Sequence, residues 1–189
     1  MYATLLADAR FHDLLLAFDH DLAEAARAEG CACGGRLHSA RYRRKPRGRL
    51  CCLGPEHDWR LSFCCAVDGC RARKTPPSLR FLGRKVYLAA TVVLIAILRH
   101  GPTRARMERL ARVVRVDRRT IARWRAWWRE GFTATRFWAA TSAAFLPPID
   151  AAQLPGALIE RFSGDGQDRL IALLRFLGPI TGGVRMPAF

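Results

Sequence analysis

The sequence lacks a hydrophobic run long enough to cross a membrane. Its most apolar stretch, residues 86–98, has 13 residues, whereas a membrane-spanning helix needs about 20. We interpret this stretch as a buried helix. The N-terminal residues also lack a charged segment followed by a long apolar run, so the sequence shows no secretory signal. We therefore expect a cytoplasmic protein.

Acidic residues are scarce as well. The chain has 16 Asp and Glu against 32 Lys and Arg, a formal net charge of +16 and a pI near 11.0. Residues 69–107 contain no acid, and residues 36–49 hold seven Arg and Lys without an acid. A folded protein this basic is expected to bind a polyanion, most commonly nucleic acid. Charge alone does not distinguish DNA, RNA and acidic membrane.

Local patterning divides the chain into four predicted segments. Residues 1–29 have helical spacing, and residues 30–82 turn to Gly, Pro, Cys and short alternating stretches typical of a small zinc-ribbon-like module. Residues 83–130 return to helix and hold a candidate helix-turn-helix, and residues 131–189 form a tail with one amphipathic helix near 167–177. The predicted fold class is mainly α with a small β module.

The chain has seven cysteines, and in a reducing compartment clustered cysteines are more often metal ligands than disulfides. Four of them form two pairs that are close in sequence, each with glycine nearby: Cys31-Ala-Cys33 and Cys65-Ala-Val-Asp-Gly-Cys70. A tetrahedral zinc site needs four such ligands, presented as pairs from tight turns. The sequence therefore predicts Zn²⁺ as the cofactor and Cys31, Cys33, Cys65 and Cys70 as its ligands.

The third ligand is a choice between Cys64 and Cys65. Neighbouring side chains of a strand point to opposite faces, so only one of the two is expected to reach the metal. We favour Cys65 because it is closer in sequence to Cys70. The further candidate ligands are Cys51, Cys52, His38 and His57. We interpret Cys51 and Cys52 as small buried residues or loop thiols, and His57 as a solvated loop residue.

The stretch from residue 107 to 128 has the layout of a DNA-reading helix pair. Asp117 is placed to cap the second helix, and Ile121, Trp124 and Trp128 fall on one face that we expect to pack on the core. Trp127 is either a core residue or an exposed stacking surface. The alternative is a helical hairpin whose arginines form a solvated face.

The opposite face of the second helix carries short and basic side chains, which allow a helix to enter the major groove. Recognition helices read base edges with their N-terminal residues, so Arg119 and Arg123 are the predicted base contacts and Arg118 and Arg125 the predicted phosphate contacts. An arginine-rich loop of the ribbon module is expected to grip the DNA backbone as well, through Arg41, Arg43, Arg44, Lys45 and Arg47.

Four further stretches carry a resemblance. They are Cys33-Gly-Gly, Tyr42-Arg-Arg-Lys-Pro-Arg-Gly48, Phe63-Cys-Cys with Gly69-Cys-Arg71, and Thr75-Pro-Pro-Ser-Leu-Arg-Phe-Leu-Gly-Arg-Lys-Val-Tyr87. Together they resemble bacterial mobile-element proteins that pair a zinc ribbon with a helix-turn-helix, as in the N-terminal parts of many insertion-sequence transposases. The resemblance implies a sequence-specific DNA-binding protein of a mobile genetic element, bound to double-stranded DNA in the nucleoid.

Transposases of this kind continue into a nuclease core that holds metal on three carboxylates, and a two-metal nuclease needs them converging on a rigid scaffold. The acids after residue 128 are Glu130, Asp150, Glu160, Asp165 and Asp168. We expect no strand-rich core around them, and we interpret Asp165 and Asp168 as a turn and helix cap. The prediction is therefore a transposition accessory that is not an enzyme.

Three alternatives stay open: a transcriptional regulator with the same modules, a truncated or split transposase that retains nicking activity, and an RNA-binding ribbon protein. The candidate protein partners are a transposase that supplies the chemistry and a second copy of the chain in a homodimer. Both would use the apolar faces of the N-terminal helix and of the helix near 167–177.

Overall fold

The computed structural model describes residues 2–44, 52–82 and 117–182. Several features predicted from the sequence lie outside these ranges: Lys45, Arg47, Cys51, the apolar stretch 86–98 and the first helix of the helix-turn-helix. Within the described ranges the protein is mixed, with helices at both ends and two small antiparallel sheets between them.

Two helices open the chain, α1 (Tyr2–Ala7) and α2 (Ala9–Ala28). Asp8 caps α2, since its carboxylate accepts the backbone N–H of Arg10 at 2.9 Å. The helix is followed by Gly30 with φ +71°, a left-handed conformation that glycine adopts without a steric penalty. The sequence predicted one helix or a pair of helices ending at Gly30, and the structure has a pair.

Five short strands follow: β1 (Leu37–Ser39), β2 (Tyr42–Arg43), β3 (Trp59–Arg60), β4 (Phe63–Cys65) and β5 (Arg73–Lys74). One sheet has the order β1-β4-β5 and the other pairs β2 with β3, all antiparallel. In the three-stranded sheet Leu37 lies opposite Cys65, and Cys64 lies opposite Arg73. This register places Cys65, one of the predicted ligands, at the end of the central strand β4.

The C-terminal part is helical. Helix α3 (Arg118–Ala126) runs into a π-helical turn (Trp127–Gly131). Four α-helices follow: α4 (Arg136–Thr141), α5 (Gly156–Ile159), α6 (Gly166–Phe176) and α7 (Gly178–Thr181), with 3-10 helices at Ser142–Ala144 and Ala151–Gln153 between α4 and α5. Asp165 and Asp168 form a capping box at the start of α6. The prediction that these two acids form a turn and helix cap is confirmed.

One large hydrophobic cluster joins both ends of the chain. Phe11 and Leu15 of α2 pack with residues of α3 and with Leu170 and Leu174 of α6, and Leu79 lies in the same cluster. Burying each of these large side chains contributes roughly 1.5–3 kcal/mol. Much of the apolar surface of α2 and α6 is therefore packed within the chain, and a contact of these helices with a second copy or a transposase stays a prediction.

Buried charges fasten residues 57–80, part of the predicted ribbon module, to this core. The Asp19 carboxylate of α2 accepts the Nε–H of Arg80 at 2.8 Å and the backbone N–H of Leu79 at 2.7 Å. Arg80 also donates to the backbone carbonyls of His57 and Trp59. Arg60 is buried nearby, where desolvation lowers the pKa of its guanidinium although Asp19 opposes the shift. Both arginine side chains are buried, so neither can contact a partner at the protein surface.

Candidate metal centre and basic surface

The first pair of cysteines lies in a tight turn after α2, the first knuckle (residues 31–35). The backbone N–H of Gly34 donates to the Cys31 carbonyl at 2.8 Å, and the N–H of Cys31 donates to the Gly35 carbonyl at 3.1 Å. A Cβ on Gly35 would lie 2.7 Å from the Cys65 sulfur and 2.6 Å from Val67 Cγ2. Only glycine leaves room for the second pair to approach.

The second pair lies in the second knuckle (residues 65–72), which begins at the end of β4. Its turn passes through Gly69 at φ +87°, and the Cys70 N–H donates to the Val67 carbonyl at 3.2 Å. Arg71 follows with φ +43°, a conformation that costs a non-glycine residue energy. The turn brings Cys70 back beside Cys65.

The Sγ atoms of Cys31, Cys33, Cys65 and Cys70 all lie within 4.8 Å of one another. Cys33 and Cys65 are 3.4 Å apart and Cys31 and Cys70 3.7 Å apart, far longer than the roughly 2.05 Å of a disulfide. Four thiolates at about 2.3 Å from a tetrahedral zinc would be about 3.8 Å from each other. The four thiols therefore fit a zinc ion.

Cys64 points away from this cluster. Its Sγ lies 3.4 Å from the carbonyl oxygen of Arg71, to which the thiol donates, whereas Cys65 is fully buried among the other thiols. The strand alternation that separates the two side chains is the one expected from the sequence. The structure thus groups Cys65, and not Cys64, with the other three cysteines.

Backbone N–H groups point at three of the sulfurs, each from two residues further along the chain: Gly35 to Cys33, Val67 to Cys65 and Ala72 to Cys70. The Gly35 bond, with help from the neighbouring thiols, lowers the pKa of Cys33 to about 7. For Cys65 the Val67 bond acts in the same direction, but burial and the other thiols together raise its pKa to about 12. A divalent cation would supply the charge needed to ionise the buried thiol.

The other candidate ligands lie elsewhere. His38 and Cys52 are exposed. His57 is 3% exposed, and its Nε2 lies 3.1 Å from Asp13 Oδ1 of α2 and 3.6 Å from Glu56 Oε1. The expectation that His57 is a solvated loop residue is wrong, since its side chain is buried beside Asp13. This partner is 44 residues away in the sequence, so local patterning does not predict the contact.

Helix α3 has two distinct faces. Ile121, Trp124 and Trp128 are at most 4% exposed, as their spacing predicted. The opposite face is exposed and holds Arg119, Ala122, Arg123 and Ala126. Arg125 is half-buried, and Arg118 begins the helix with a side chain that lies outside the described part.

The start of α3 is held by a chain of hydrogen bonds. Asp117 accepts the Thr120 backbone N–H at 2.8 Å and its hydroxyl at 3.0 Å, and the Thr120 oxygen accepts from Arg123 Nη2 at 2.9 Å. The Thr120 backbone bond is the main reason that the pKa of Asp117 is lowered. The predicted cap is present. Trp127 is half-buried against Trp128, with ring centroids 4.9 Å apart, and so belongs with the core.

The predicted basic residues of the ribbon module contact aromatic and acidic neighbours. Arg41 lies over the Trp59 ring with Cζ 4.8 Å from the centroid, and Arg43 pairs with Asp58 at 3.3 Å. Arg44 lies over Tyr42 at 5.1 Å. The sequence showed these residues only as a run of positive charge, whereas the structure gives each of the three side chains a specific partner.

Comparison of the chain with models of known protein families, with curated proteins and with solved structures finds no match. Among the described helices, none combines the length and apolar character that a bilayer crossing requires.

Proposed function

We propose that the protein is a zinc-stabilised, sequence-specific DNA-binding protein of a mobile genetic element, acting as a non-catalytic transposition accessory. The two faces of α3 carry this proposal. Its apolar face is buried, so the helix has a fixed orientation, and its exposed face combines small residues with arginines. A helix of this kind fits the major groove, where arginine reads guanine with two hydrogen bonds.

Arg119 and Arg123 are the proposed base-reading residues. Arg123 is held by Thr120, which is itself held by Asp117. A guanidinium that is already positioned loses less side-chain entropy on binding than a free one. The Asp117 and Thr120 bonds therefore favour Arg123 over Arg125, which is half-buried, as the residue that sets specificity.

Zinc has a structural role in this proposal. Held by Cys31, Cys33, Cys65 and Cys70, it would join the end of α2 to the three-stranded sheet and bring no chemistry beyond cross-linking them. Structural zinc sites contribute directly to folding free energy. Loss of the metal is expected to disorder the basic strands around the site.

The mobile-element role rests on the resemblance of residues 30–128 to ribbon and helix-turn-helix proteins of insertion sequences. It implies that a separate transposase supplies the chemistry. A chromosomal transcriptional regulator is the second candidate, and it is separated from the first by whether the gene lies beside a transposase and terminal inverted repeats. A split transposase would instead nick element-end DNA in a metal-dependent assay.

The proposal is tested by selecting binding sites from randomised DNA duplexes. We expect the wild-type protein to enrich a defined sequence. Arg123→Gln should lose the preference at one or two base pairs, because each bidentate contact is worth about 1–3 kcal/mol of discrimination. The control is Arg10→Gln on the acidic helix α2, which removes the same charge from an exposed position.

Three results would count against the proposal. Enrichment of no sequence would remove sequence-specific DNA binding, and an equal loss in Arg10→Gln and Arg123→Gln would reduce the α3 effect to net charge. Preferential binding of structured RNA in a competition with duplex DNA would favour the RNA-binding alternative.

A further inference from the structure

Two arginines, one directly after β2 and one on β5, contact the same aromatic ring. Arg44 follows β2, and its Cζ lies 5.1 Å from the Tyr42 ring centroid; Arg73 belongs to β5, and its Cζ lies 5.9 Å from that centroid. Both distances are within the range of cation–π attraction. The two guanidinium carbons therefore cannot be farther apart than 11.0 Å, the sum of the two distances.

Neither arginine forms an ion pair with an acid of the described residues. Their sequence neighbours do: Arg43 pairs with Asp58 at 3.3 Å, and Arg71 pairs with Asp68 at 2.6 Å. Two cations are thus held close together with no acid among the described residues to neutralise them; Arg73 is exposed and Arg44 is half-buried.

A third cation strengthens this local excess of charge. The buried guanidinium of Arg60 has a lowered pKa, mainly from desolvation, and Arg44 is one of the positive charges that contribute to the shift. Cations held close together repel each other, and a bound anion relieves the repulsion. The arrangement favours an anion with several acceptor oxygens, because each guanidinium presents a planar fork of donors.

We infer that Arg44, Arg73 and Tyr42 form a clamp for a single backbone phosphate of the bound nucleic acid. This inference rests on the proposed function and deepens it, since Arg73 and the ring of Tyr42 were not among the contacts predicted from the sequence. The Tyr42 ring contacts both guanidiniums and so holds them within one site. Contacts to phosphate position a protein on DNA without reading its sequence, so the clamp complements α3.

The clamp is tested by the salt dependence of affinity for one labelled DNA duplex. Each phosphate that a protein neutralises contributes about 0.9 to the slope of log affinity against log salt. Because both arginines serve one phosphate, the double variant Arg44→Gln/Arg73→Gln should lower the magnitude of the slope by about 0.9. Each single variant should lower it by less.

The structure supplies matched controls. Arg71→Gln removes the same charge two residues from Arg73, but Arg71 is already paired with Asp68, so its slope should remain close to wild type. Tyr42→Leu removes the ring and should weaken binding in the same direction as Arg73→Gln, and Tyr42→Phe, which keeps the ring, should restore binding relative to Tyr42→Leu. Unchanged zinc content and thermal midpoint establish that each variant is folded.

The possible failures are distinguishable. A slope reduction of about 1.8 in the double variant would assign the two arginines to separate phosphates and overturn the clamp. Equal effects of Arg71→Gln and Arg73→Gln, in a protein that still binds duplex DNA, would overturn the clamp and leave the proposed function intact. A wild-type protein that binds no duplex would overturn both.

Discussion

Replacing Gly35 by alanine should weaken metal binding, because the first knuckle has no space for a methyl group. The new Cβ would lie 2.7 Å from the Cys65 sulfur and 3.3 Å from the Cys33 sulfur, whereas non-bonded heavy atoms prefer about 3.5–4.0 Å. Val67 Cγ2, at 2.6 Å, can move because Val67 is exposed. Cys65 cannot, because its side chain is fully buried.

The size of the effect follows from the tolerance of the site. Relieving the contact requires the Cys65 sulfur or the knuckle backbone to shift by roughly 1 Å, whereas metal–ligand distances tolerate about 0.2 Å. A perturbation of groups that support metal ligands typically costs 10–100-fold in affinity, or about 1.4–2.7 kcal/mol. We expect Gly35→Ala to fall in this range when zinc affinity is measured by competition with a chromogenic chelator.

Gly34→Ala is the matched control for this substitution. Gly34 has φ +80° and no atom within 4 Å of a Cβ built on it, so alanine there introduces backbone strain of about 1–2 kcal/mol without crowding a sulfur. It should lower stability and weaken zinc affinity less than Gly35→Ala does. Zinc affinity equal to wild type in Gly35→Ala, or a larger loss in Gly34→Ala, would refute the close-packed geometry of the metal site.

Three further predictions concern other parts of the chain. Cys65→Ser should abolish stoichiometric zinc binding while Cys64→Ser retains it, measured by metal analysis of the purified proteins; the reverse result would move the ligand to Cys64. Asp19→Asn should destabilise the fold by about 3–5 kcal/mol in denaturant titrations, since it leaves buried arginines without a compensating charge. The control is Asp21→Asn at an exposed position, which should change stability by less than about 0.5 kcal/mol. Equal effects of the two substitutions would contradict the buried ion pair. Thr120→Val removes the hydroxyl that holds Arg123, so sequence preference should relax at the base pair that this arginine reads, while overall affinity stays nearly the same. Thr120→Ser keeps a hydroxyl and should retain the preference. A uniform loss of affinity across sequences in Thr120→Val would make that residue structural only.

Local signals in the sequence identified α3 well. The spacing of Ile121, Trp124 and Trp128 marks one helix face, and Asp117 is a strong capping residue. Both signals act over a few residues, so neither depends on the rest of the fold. The grouping of four cysteines was likewise accessible, because a strand alternates its side chains and the two glycine-containing turns point to knuckles.

Contacts between distant segments were not accessible. Arg80 is one arginine among many in a basic stretch, and its burial follows from Asp19, which lies 61 residues away. Tyr42 and Arg73 meet only because the two sheets are neighbours, and His57 is buried by a partner on α2. A charge pattern shows how many arginines a segment has, but partners elsewhere in the chain decide which of them remain at the surface.

The most direct test of the account is site selection from randomised duplexes by the zinc-loaded wild-type protein, compared with the same protein after Arg119 and Arg123 are both changed to glutamine. The account predicts that wild type enriches a defined sequence and that the double variant still binds duplex DNA but enriches none. Enrichment of the same sequence by both proteins would contradict it, because α3 would then not be the element that reads DNA.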